Sequence, residues 1–571
     1  MQTQWKILEP DPAVVEQIRQ HLDCHPVTAT VLANRNIDSV DRAEQFIHPS
    51  LEELPPPDAL NGLQAAADRI IHALRNSEKI LVFGDYDADG VTASAVMFNF
   101  LKCAGADVAI HLPHRIEEGY GLQPKSIMQL ALPTRTNLIV TVDNGSSSFD
   151  AIAAARRFGI DVIVTDHHTI EGGSPDAVTV VNPKMEGQSG QLSDLAGVGV
   201  AFYLVIELRT ALRKMGWWHR QRPEPNLKAY CDLVAIGTIA DMVPLRNVNR
   251  VLVSAGLEQI NNGTRPGIQA LLKASGIRHP PITADDIAYR LAPRINAAGR
   301  LSSARIAFNL LNTTNADTAA HLAEDLSALN QRRQQMEGAI YDEIIRHLES
   351  RTDLLDRKAL LLAGPQWHEG VIGIVAAKLV ARYHRPMIVV SAKKSLAKGS
   401  GRSIPHIDLY AAIAKCAHLL ETFGGHRMAA GISLKTENIG KFRDAFEEAV
   451  KELTPSHEIG PELAIDQEIQ LDQICPQLID ELERLSPFGT ENPPPLFMAR
   501  EVKVTKAAIV GQRHRRMFLC QPHQCTPPIG AIQFNLEQDD PRADTFEQLA
   551  FRLQWNRYRG KKEIQMIVEA C

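Results

Sequence analysis

The chain has 571 residues and a formal net charge of −6, with 61 lysines and arginines against 67 aspartates and glutamates. A chain of this length is too long for one hydrophobic core and predicts roughly three or four domains. The acidic balance argues against a protein that binds nucleic acid by electrostatic attraction alone.

The features that the sequence lacks indicate its compartment. The N-terminus is polar, unlike a secretory signal, and no apolar run is long enough to span a membrane. The eight cysteines form no Cys-x-x-Cys pair, which fits free thiols in a reducing compartment and disfavours a zinc site. We therefore expect a cytoplasmic protein without a membrane partner.

Alternating strand and helix patterns follow a short N-terminal segment. Residues 1–60 carry short helical patterns, and a run of prolines at 55–57 marks a break. From residue 61 to residue 315, apolar strand-like runs alternate with helical patterns, which predicts an α/β domain with a parallel sheet. Ligands of such sheets bind beyond the carboxyl ends of the strands.

The first strong chemical signal is the run KILVFGDYDADG at residues 79–90, in which Asp85, Asp87 and Asp89 follow a buried strand. Three carboxylates this close repel one another, so the pattern indicates a bound cation. An EF-hand loop begins similarly, but it follows a helix and needs a glutamate where this chain has Val96. A helix cap without a ligand is the other alternative.

Three later segments add acidic and imidazole groups. Residues 137–145 (NLIVTVDNG) and 161–168 (DVIVTDHH) are strand-like runs that end in these groups, and residues 231–245 are a further apolar stretch that delivers an aspartate beside a turn. We expect these four strand ends to converge at one edge of the sheet. The converging residues are Asp85, Asp87, Asp89, Asp143, Asp166, His167, His168 and Asp241.

This set of side chains suits particular metals. Carboxylates with one or two imidazoles and no thiolate favour Mn²⁺ or Mg²⁺, and the histidines shift the balance toward Mn²⁺. So many ligands imply two ions, which two-metal sites hold about 3.5–4 Å apart. Such sites commonly hydrolyse phosphoesters, so the residues alone predict a metal-dependent phosphoester hydrolase.

Several motifs resemble those of a known family. Four of them resemble the motifs that define the DHH phosphoesterase superfamily, namely GDYDADG (84–90), TVDNG (141–145), VTDHH (164–168) and ADMVPL (240–245). Two later ones, GRSIP (401–405) and FGGHRMAAG (423–431), resemble the DHH-associated domain. Their order and spacing are most similar to the bacterial exonucleases specific for single-stranded DNA.

The resemblance implies how the metals are held. Asp87, Asp89, Asp143, His167 and Asp241 would be ligands, with Asp143 as the bridging carboxylate. Asp166 would orient a histidine, and His168 would be a further ligand or the group that polarises the scissile phosphate. Many relatives have a metal-binding histidine where this chain has Phe83, so one ion would lack an imidazole, and Asp85 would take over part of that role.

The resemblance also implies how the substrate is held. Arg300, Ser400 and Arg402 would form a pocket for a 5′-phosphate, since a guanidinium fork suits a phosphate end group. His426 would face substrate phosphates. Arg115 and Tyr120 would stack on or pair with the strand.

The remaining sections predict further domains. Residues 316–352 form a continuous helical pattern, and residues 353–454 alternate again as a smaller α/β unit. Residues 455–571 contain strand-like pieces preceded by the connector SPFGTENPPPLF (486–497). The resemblance implies that this last section is an OB-fold-like barrel that binds nucleic acid.

Basic and aromatic residues cluster in the last section. At residues 511–516 and 551–562, arginines are interleaved with residues such as Trp555 and Tyr558. Such mixtures suit a groove that follows a phosphate backbone and stacks bases, and a solvated surface over a packed aromatic ring is the alternative.

Residues and resemblance together predict a 5′→3′ exonuclease that degrades single-stranded DNA to 5′-mononucleotides with two metal ions, in DNA repair and recombination. Direction and product are implied by the resemblance alone. We expect a monomer that cooperates with a helicase and a single-strand-binding protein. Two alternatives stay open: a phosphodiesterase or pyrophosphatase of the same superfamily that acts on small nucleotides, and a non-catalytic replication scaffold, which would have lost metal ligands.

Overall fold

The structure is a computed structural model that describes residues 4–170, 172–186, 188, 190–263, 265–277, 281–393, 395–454, 462–511, 513–522, 527–536, 543–557 and 562–571. Among these residues, no helix combines the length and the apolar character needed to cross a lipid bilayer.

The N-terminal segment is mostly helical. Strand β1 (Gln4–Ile7) is followed by α1 (Pro12–Leu22), α2 (Pro26–Asn34) and α3 (Val40–Ile47). Helix α1 begins after Asp11, whose carboxylate accepts a hydrogen bond from the Ala13 N–H at 2.8 Å. This cap satisfies one of the N–H groups that a helix leaves unpaired at its start.

A five-stranded parallel sheet forms the first α/β domain, which confirms the predicted fold class. Its strands are β2 (Lys79–Phe83), β3 (Asp107–His111), β4 (Leu138–Val142), β5 (Asp161–Thr165) and β6 (Thr179–Val181), in the order β3-β2-β4-β5-β6. Along β2, Ile80 and Val82 enter the core on one face, and Leu81 and Phe83 enter the core on the other. The strands are mostly apolar because both faces of the sheet are covered.

Helices surround this sheet. They are α4 (Leu63–Arg75), α5 (Ala88–Cys103), α6 (Pro124–Ser126), α7 (Phe149–Arg157), α8 (Gly197–Lys214), α9 (Cys231–Ala240), α10 (Asn247–Asn261), α11 (Pro266–Ala274), α12 (Ala284–Asp286), α13 (Ala292–Leu301) and α14 (Arg305–Asn312). The prediction that a fourth strand delivers Asp241 is wrong, because the apolar stretch before it is helix α9. A short apolar run fits a buried helix as well as a buried strand.

One long helix, α15 (Ala316–Ser350), joins two hydrophobic cores. Ala319, Ala323 and Leu326 in its first half pack into the core of the first α/β domain. Ile340 and Ile344 in its second half pack against the next α/β unit. The helix therefore fixes how the two α/β units face each other.

The second α/β unit is smaller and mixed in strand direction. Its elements are β7 (Leu360–Gly364), α16 (Ile372–Tyr383), β8 (Met387–Ser391), β9 (Leu396–Arg402), α17 (Leu409–Lys415), β10 (Thr422–His426), β11 (Ala429–Lys435) and α18 (Ile439–Leu453). The sheet order is β10-β11-β9-β8-β7, with β7 and β8 parallel and the other pairs antiparallel.

The C-terminal section contains a closed five-stranded barrel, which confirms the predicted OB-like fold. The short elements β12 (Glu462–Ile465), β13 (Gln467–Glu468) and α19 (Pro476–Arg484) come first. The barrel strands are β14 (Phe497–Val510), β15 (His514–Cys520), β16 (Ile529–Gln533), β17 (Thr545–Asn556) and β18 (Glu563–Ala570), in the order β14-β15-β16-β18-β17. Pairing of β14 with β17 closes the barrel.

The two ends of the chain form one body. Ile18 and Leu32 of the N-terminal helices share a hydrophobic core with Phe497 and Phe551 of the barrel, and β1 pairs in parallel with β12. We call residues 4–50 together with the described residues from 462 onward the terminal module.

Candidate active site

The acidic and imidazole groups meet at the carboxyl edge of the parallel sheet. Three groups of side chains have ligand atoms within 4.8 Å of one another, namely Asp85, Asp87 and Asp143; Asp89, His167 and Asp241; and Asp143, His167 and His168. They come from the segments after β2, β4 and β5 and from the end of α9. Together with Asp166, which contacts His168, all eight residues predicted to converge lie in one cluster.

Several ligand atoms in this cluster are buried without a partner. Asp85, Asp143 and His167 are 2–4% exposed. Asp85 Oδ1, Asp143 Oδ1 and both ring nitrogens of His167 have no hydrogen-bond partner among the described residues. The His167 Nε2 atom lies 3.2 Å from Asp143 Oδ1 and 3.6 Å from Asp241 Oδ2. Buried carboxylates without partners are costly unless a cation neutralises them, so the donor set fits divalent metal ions.

The N-terminus of helix α8 orients one of these carboxylates. The Gly197 and Val198 N–H groups donate to the two oxygens of Asp89 at 2.6 and 2.9 Å. A Cβ atom on Gly197 would lie 2.6 Å from both Cβ and Oδ1 of Asp143, so only glycine fits at this position. Asp143 itself has φ of 63°, a strained conformation that is common at functional sites. The contribution of α8 was not predicted from the sequence, in which the run GVGV at 197–200 is its one signal.

Burial and mutual repulsion raise the pKa values of the acidic cluster. Burial is the larger cause and neighbouring carboxylates add to it, so the pKa of Asp89 rises to about 7 and that of Asp241 to about 8. The pKa values of Asp85 and Asp143 are also raised, for the same two reasons. Without a cation, Asp89 and Asp241 therefore bind protons in the neutral pH range, and a metal ion would displace these protons.

His168 and Asp166 form an ion pair beside the cluster. Their contact joins His168 Nδ1 and Asp166 Oδ1 at 2.8 Å. Burial is the largest single effect on the His168 pKa and opposes the charged form. The hydrogen bond to Asp166, together with the negative charges of Asp166 and of nearby carboxylates, outweighs burial and raises the His168 pKa to about 9. The Tyr120 hydroxyl lies 3.1 Å from His168 Nδ1 and donates to the Asp143 carbonyl at 3.3 Å. His168 is therefore a cation at neutral pH and is held in place from two sides.

Three guanidinium groups gather between the two α/β units. Arg300 on α13 donates to the Gly370 carbonyl at 3.2 Å, and Arg402 on β9 donates to Ser400 Oγ at 3.2 Å. For both Arg300 and Arg402, burial is the largest cause of a lowered pKa, and the positive charge of Arg115 is the next. The pKa of Arg300 falls to about 10. Like charges this close, in a partly buried place, fit an anionic ligand such as a phosphate.

The surroundings of this arginine cluster add further groups. The Arg115 guanidinium stacks 5.0 Å from the centre of the Tyr86 ring, a residue that sequence analysis did not single out. The backbone at Gly373 in the first turn of α16 approaches Ser400, since an added Cβ would lie 2.9 Å from its Oγ. A helix N-terminus therefore faces the pocket and favours negative charge there.

His426 lies farther from the pocket than the arginines. It stands on the edge strand β10, in the same cross-strand row as Ala429 and Arg402. Two strand spacings put its backbone about 10 Å from that of Arg402. Its side chain is exposed, on the sheet face that also carries Arg402.

One aromatic residue of the basic segments in the barrel, Trp555, is packed inside the structure. Trp555 is 9% exposed, and its indole N–H donates to Asp480 Oδ1 at 2.8 Å. Lys562 covers its ring at 4.2 Å. For Trp555, the structure therefore fits the alternative of a packed aromatic ring beneath a basic surface and not base stacking, and Tyr558 lies outside the described residues.

The chain matches three protein families along its length. Residues 79–238 match the DHH family N-terminal domain, residues 356–452 match the DHHA1 domain, and residues 465–570 match the RecJ OB domain.

Curated relatives and solved structures agree with these matches. The single-stranded-DNA-specific exonuclease RecJ of Salmonella typhimurium is 36% identical over 560 residues, which cover 96% of this chain and 96% of the relative. RecJ of Bacillus subtilis is 37% identical over 89% of this chain, and the match spans 63% of that longer relative. The crystal structure of RecJ in complex with Mn²⁺ from Thermus thermophilus is similar with a TM-score of 0.84 and 30% identity, covering 100% of this chain and 79% of that one.

Proposed function

The chain belongs to the RecJ family of single-stranded-DNA-specific exonucleases, and on that premise we propose that it is a metal-dependent enzyme that removes 5′-mononucleotides from the 5′ end of single-stranded DNA. Among the alternatives, a non-catalytic scaffold is disfavoured because the acidic cluster is complete. An enzyme for small nucleotides is disfavoured because the barrel is present and matches the RecJ OB domain.

The proposal depends on one observation: the acidic pocket and the arginine pocket lie next to each other. Asp87 of the acidic cluster acts electrostatically on Arg300, as do Arg115 and Arg402 of the arginine cluster. Metal ions suit the first pocket and a phosphate suits the second, so the arrangement fits two successive phosphates of one strand.

Within this proposal, Asp85, Asp87, Asp89, Asp143, His167 and Asp241 hold two Mn²⁺ or Mg²⁺ ions. When bound, such ions supply an activated water and stabilise the charge on the leaving oxygen. The backbone of α8 keeps Asp89 in a fixed orientation for this task.

The histidine and tyrosine act on the substrate in this proposal. His168, charged because of Asp166, donates a hydrogen bond to the scissile phosphate and offsets negative charge as the bond breaks. Tyr120 supports the imidazole and presents its exposed ring to the strand.

The arginine pocket accounts for the direction of cleavage. Arg300, Ser400 and Arg402 hold the terminal 5′-phosphate, so the next phosphate along the strand reaches the metals and one nucleotide is released. His426 and the open sheet face beside it contact later phosphates. We also propose that the enzyme works as a monomer in the cytoplasm, with a helicase and a single-strand-binding protein supplying the strand.

The test uses oligonucleotides labelled at the 5′ or the 3′ end, single- and double-stranded, with Mn²⁺, Mg²⁺ or EDTA. We expect early release of the 5′ label as a mononucleotide from single strands, and no release in EDTA. Arg402→Ala should raise KM for a 5′-phosphorylated strand by about 10–100-fold, the loss of a charged hydrogen bond. Arg351→Ala, which breaks an exposed ion pair with Asp353, is the control. Early release of the 3′ label would contradict the proposal.

A further inference from the structure

The connector between the barrel and the rest of the terminal module contacts the segment that follows Asp241. We call residues 485–492 the connector turn. The Leu245 N–H donates to the Thr490 carbonyl at 2.8 Å. Gly489 packs so closely that an added Cβ would lie 2.6 Å from Leu245 Cδ1. A segment only four residues after a candidate metal ligand is thus anchored to the other end of the chain.

An ion-pair chain strengthens this anchor. Arg246 Nη1 lies 2.6 Å from Glu491 Oε2 of the connector turn, and Arg246 Nε lies 2.8 Å from Asp194 Oδ2. Asp194 stands just before helix α8, whose first N–H groups hold Asp89. Arg246 therefore links the connector turn to both sides of the acidic cluster.

Arg250 adds a buried connection one turn of α10 later. It is 2% exposed, and its guanidinium donates to five carbonyl groups, those of Phe46, Arg484, Leu485, Ser486 and Pro487, at 2.8–3.5 Å. It also stacks 3.7 Å from the centre of the Phe46 ring. A guanidinium has enough N–H donors to satisfy so many carbonyls at once. The buried Arg250 keeps these hydrogen bonds only while the connector turn stays in place.

The segment between Asp241 and Leu245 is short and stiff. The Asp241 N–H ends helix α9 by donating to the Gly237 carbonyl at 2.9 Å. Met242 follows with φ of 59°, and Pro244 has a ring that fixes its φ. Because only Met242, Val243 and Pro244 separate Asp241 from Leu245, a displacement of Leu245 would be transmitted toward the Asp241 carboxylate.

From these contacts we infer that the connector turn is a positioning element for Asp241, with Arg246 and Arg250 as its positioning residues. The inference rests on the proposed function, in which Asp241 is a metal ligand. The terminal module then has two roles: it contains the barrel, and it positions Asp241 on one side of the metal centre.

The test compares full-length variants that break the link at the surface. Arg246→Ala and Glu491→Gln remove the two partners of one ion pair, whose side chains are 50% and 48% exposed, so both proteins should fold. The control, Arg42→Ala, removes a 51% exposed arginine of the same module that pairs with Asp38. The readouts are the Mn²⁺ dissociation constants by calorimetry, the melting temperature, and kcat and KM for a 5′-phosphorylated strand at low and high Mn²⁺.

We expect both variants to bind one Mn²⁺ about two- to fivefold more weakly, the range that a half-exposed ion pair can contribute. Their kcat should fall at low Mn²⁺ and recover at high Mn²⁺, with KM unchanged, whereas Arg42→Ala should match wild type. Wild-type Mn²⁺ affinity in both variants would overturn the inference and leave the proposed function intact. Absence of Mn²⁺ binding by the wild-type protein would overturn both.

Discussion

Gly197→Ala perturbs the proposed metal centre without removing any ligand. The new Cβ would lie 2.6 Å from Asp143 Cβ and Oδ1, so the two segments must separate toward the 3.4 Å of ordinary contact, a shift of about 0.8 Å. Asp143 cannot escape by rotating its side chain, because one of its three clashing atoms is its Cβ. The same shift pulls the Gly197 and Val198 N–H groups away from Asp89.

The expected loss of rate is large, whereas the expected loss of stability should leave the protein folded. Overpacking costs about 1–3 kcal/mol, and alanine in place of glycine in a helix returns up to about 1 kcal/mol, so the free energy of unfolding should fall by about 0–3 kcal/mol. A misplacement of about 1 Å at reacting groups costs roughly 100-fold in rate. We therefore expect kcat on a single-stranded oligonucleotide to fall about 100-fold in a protein that stays folded.

A matched control separates the clash from the change of residue type. Gly440→Ala also adds a methyl group near the start of a helix, α18, but nothing lies within 4 Å of the new Cβ. Its kcat should equal that of wild type, and its melting temperature should not decrease. If Gly197→Ala cleaves as fast as Gly440→Ala, the position of Asp143 does not govern catalysis and the reasoning fails.

Other predictions concern the same cluster. Asp143→Ala should abolish cleavage while gel-shift affinity for single strands is retained; cleavage near the wild-type rate would refute its role. Asp166→Asn should lower the pKa of His168, so the rate should fall more at pH 8.5 than at pH 6.5, and an unchanged pH–rate profile would contradict the charged role of His168. Because the pKa values of Asp89 and Asp241 are raised in the metal-free fold, folding takes up protons and the metal-free protein loses stability as pH rises from about 4 through about 8. Mn²⁺ should therefore raise the melting temperature more at pH 8.5 than at pH 6, and an equal rise at both pH values would argue against these carboxylates as ligands.

The main features of the pocket could be predicted because parallel strands deliver their carboxyl ends to one edge. The sequence shows apolar runs that end in Asp143 and in residues 166–168, and these runs predict which side chains lie at that edge. The fold class followed from the same alternation of strands and helices, and the closed barrel was expected from the family resemblance.

Other features had no readable signal. Backbone N–H groups such as those of Gly197 and Val198 contribute to a site through helix position, which side-chain patterns do not report. Trp555 lies in a basic segment, yet strand alternation turns its ring inward onto Asp480. The contact between the connector turn and Leu245 joins residues 245 positions apart, and no local pattern encodes such a pairing.

The central claim is that the acidic cluster holds two divalent cations. Crystals of the protein soaked in Mn²⁺ and measured near the manganese absorption edge test it directly. We expect two anomalous peaks about 3.5–4 Å apart, bounded by Asp87, Asp89, Asp143, His167 and Asp241. A cluster without anomalous signal in a protein that still cleaves single-stranded DNA would contradict the account.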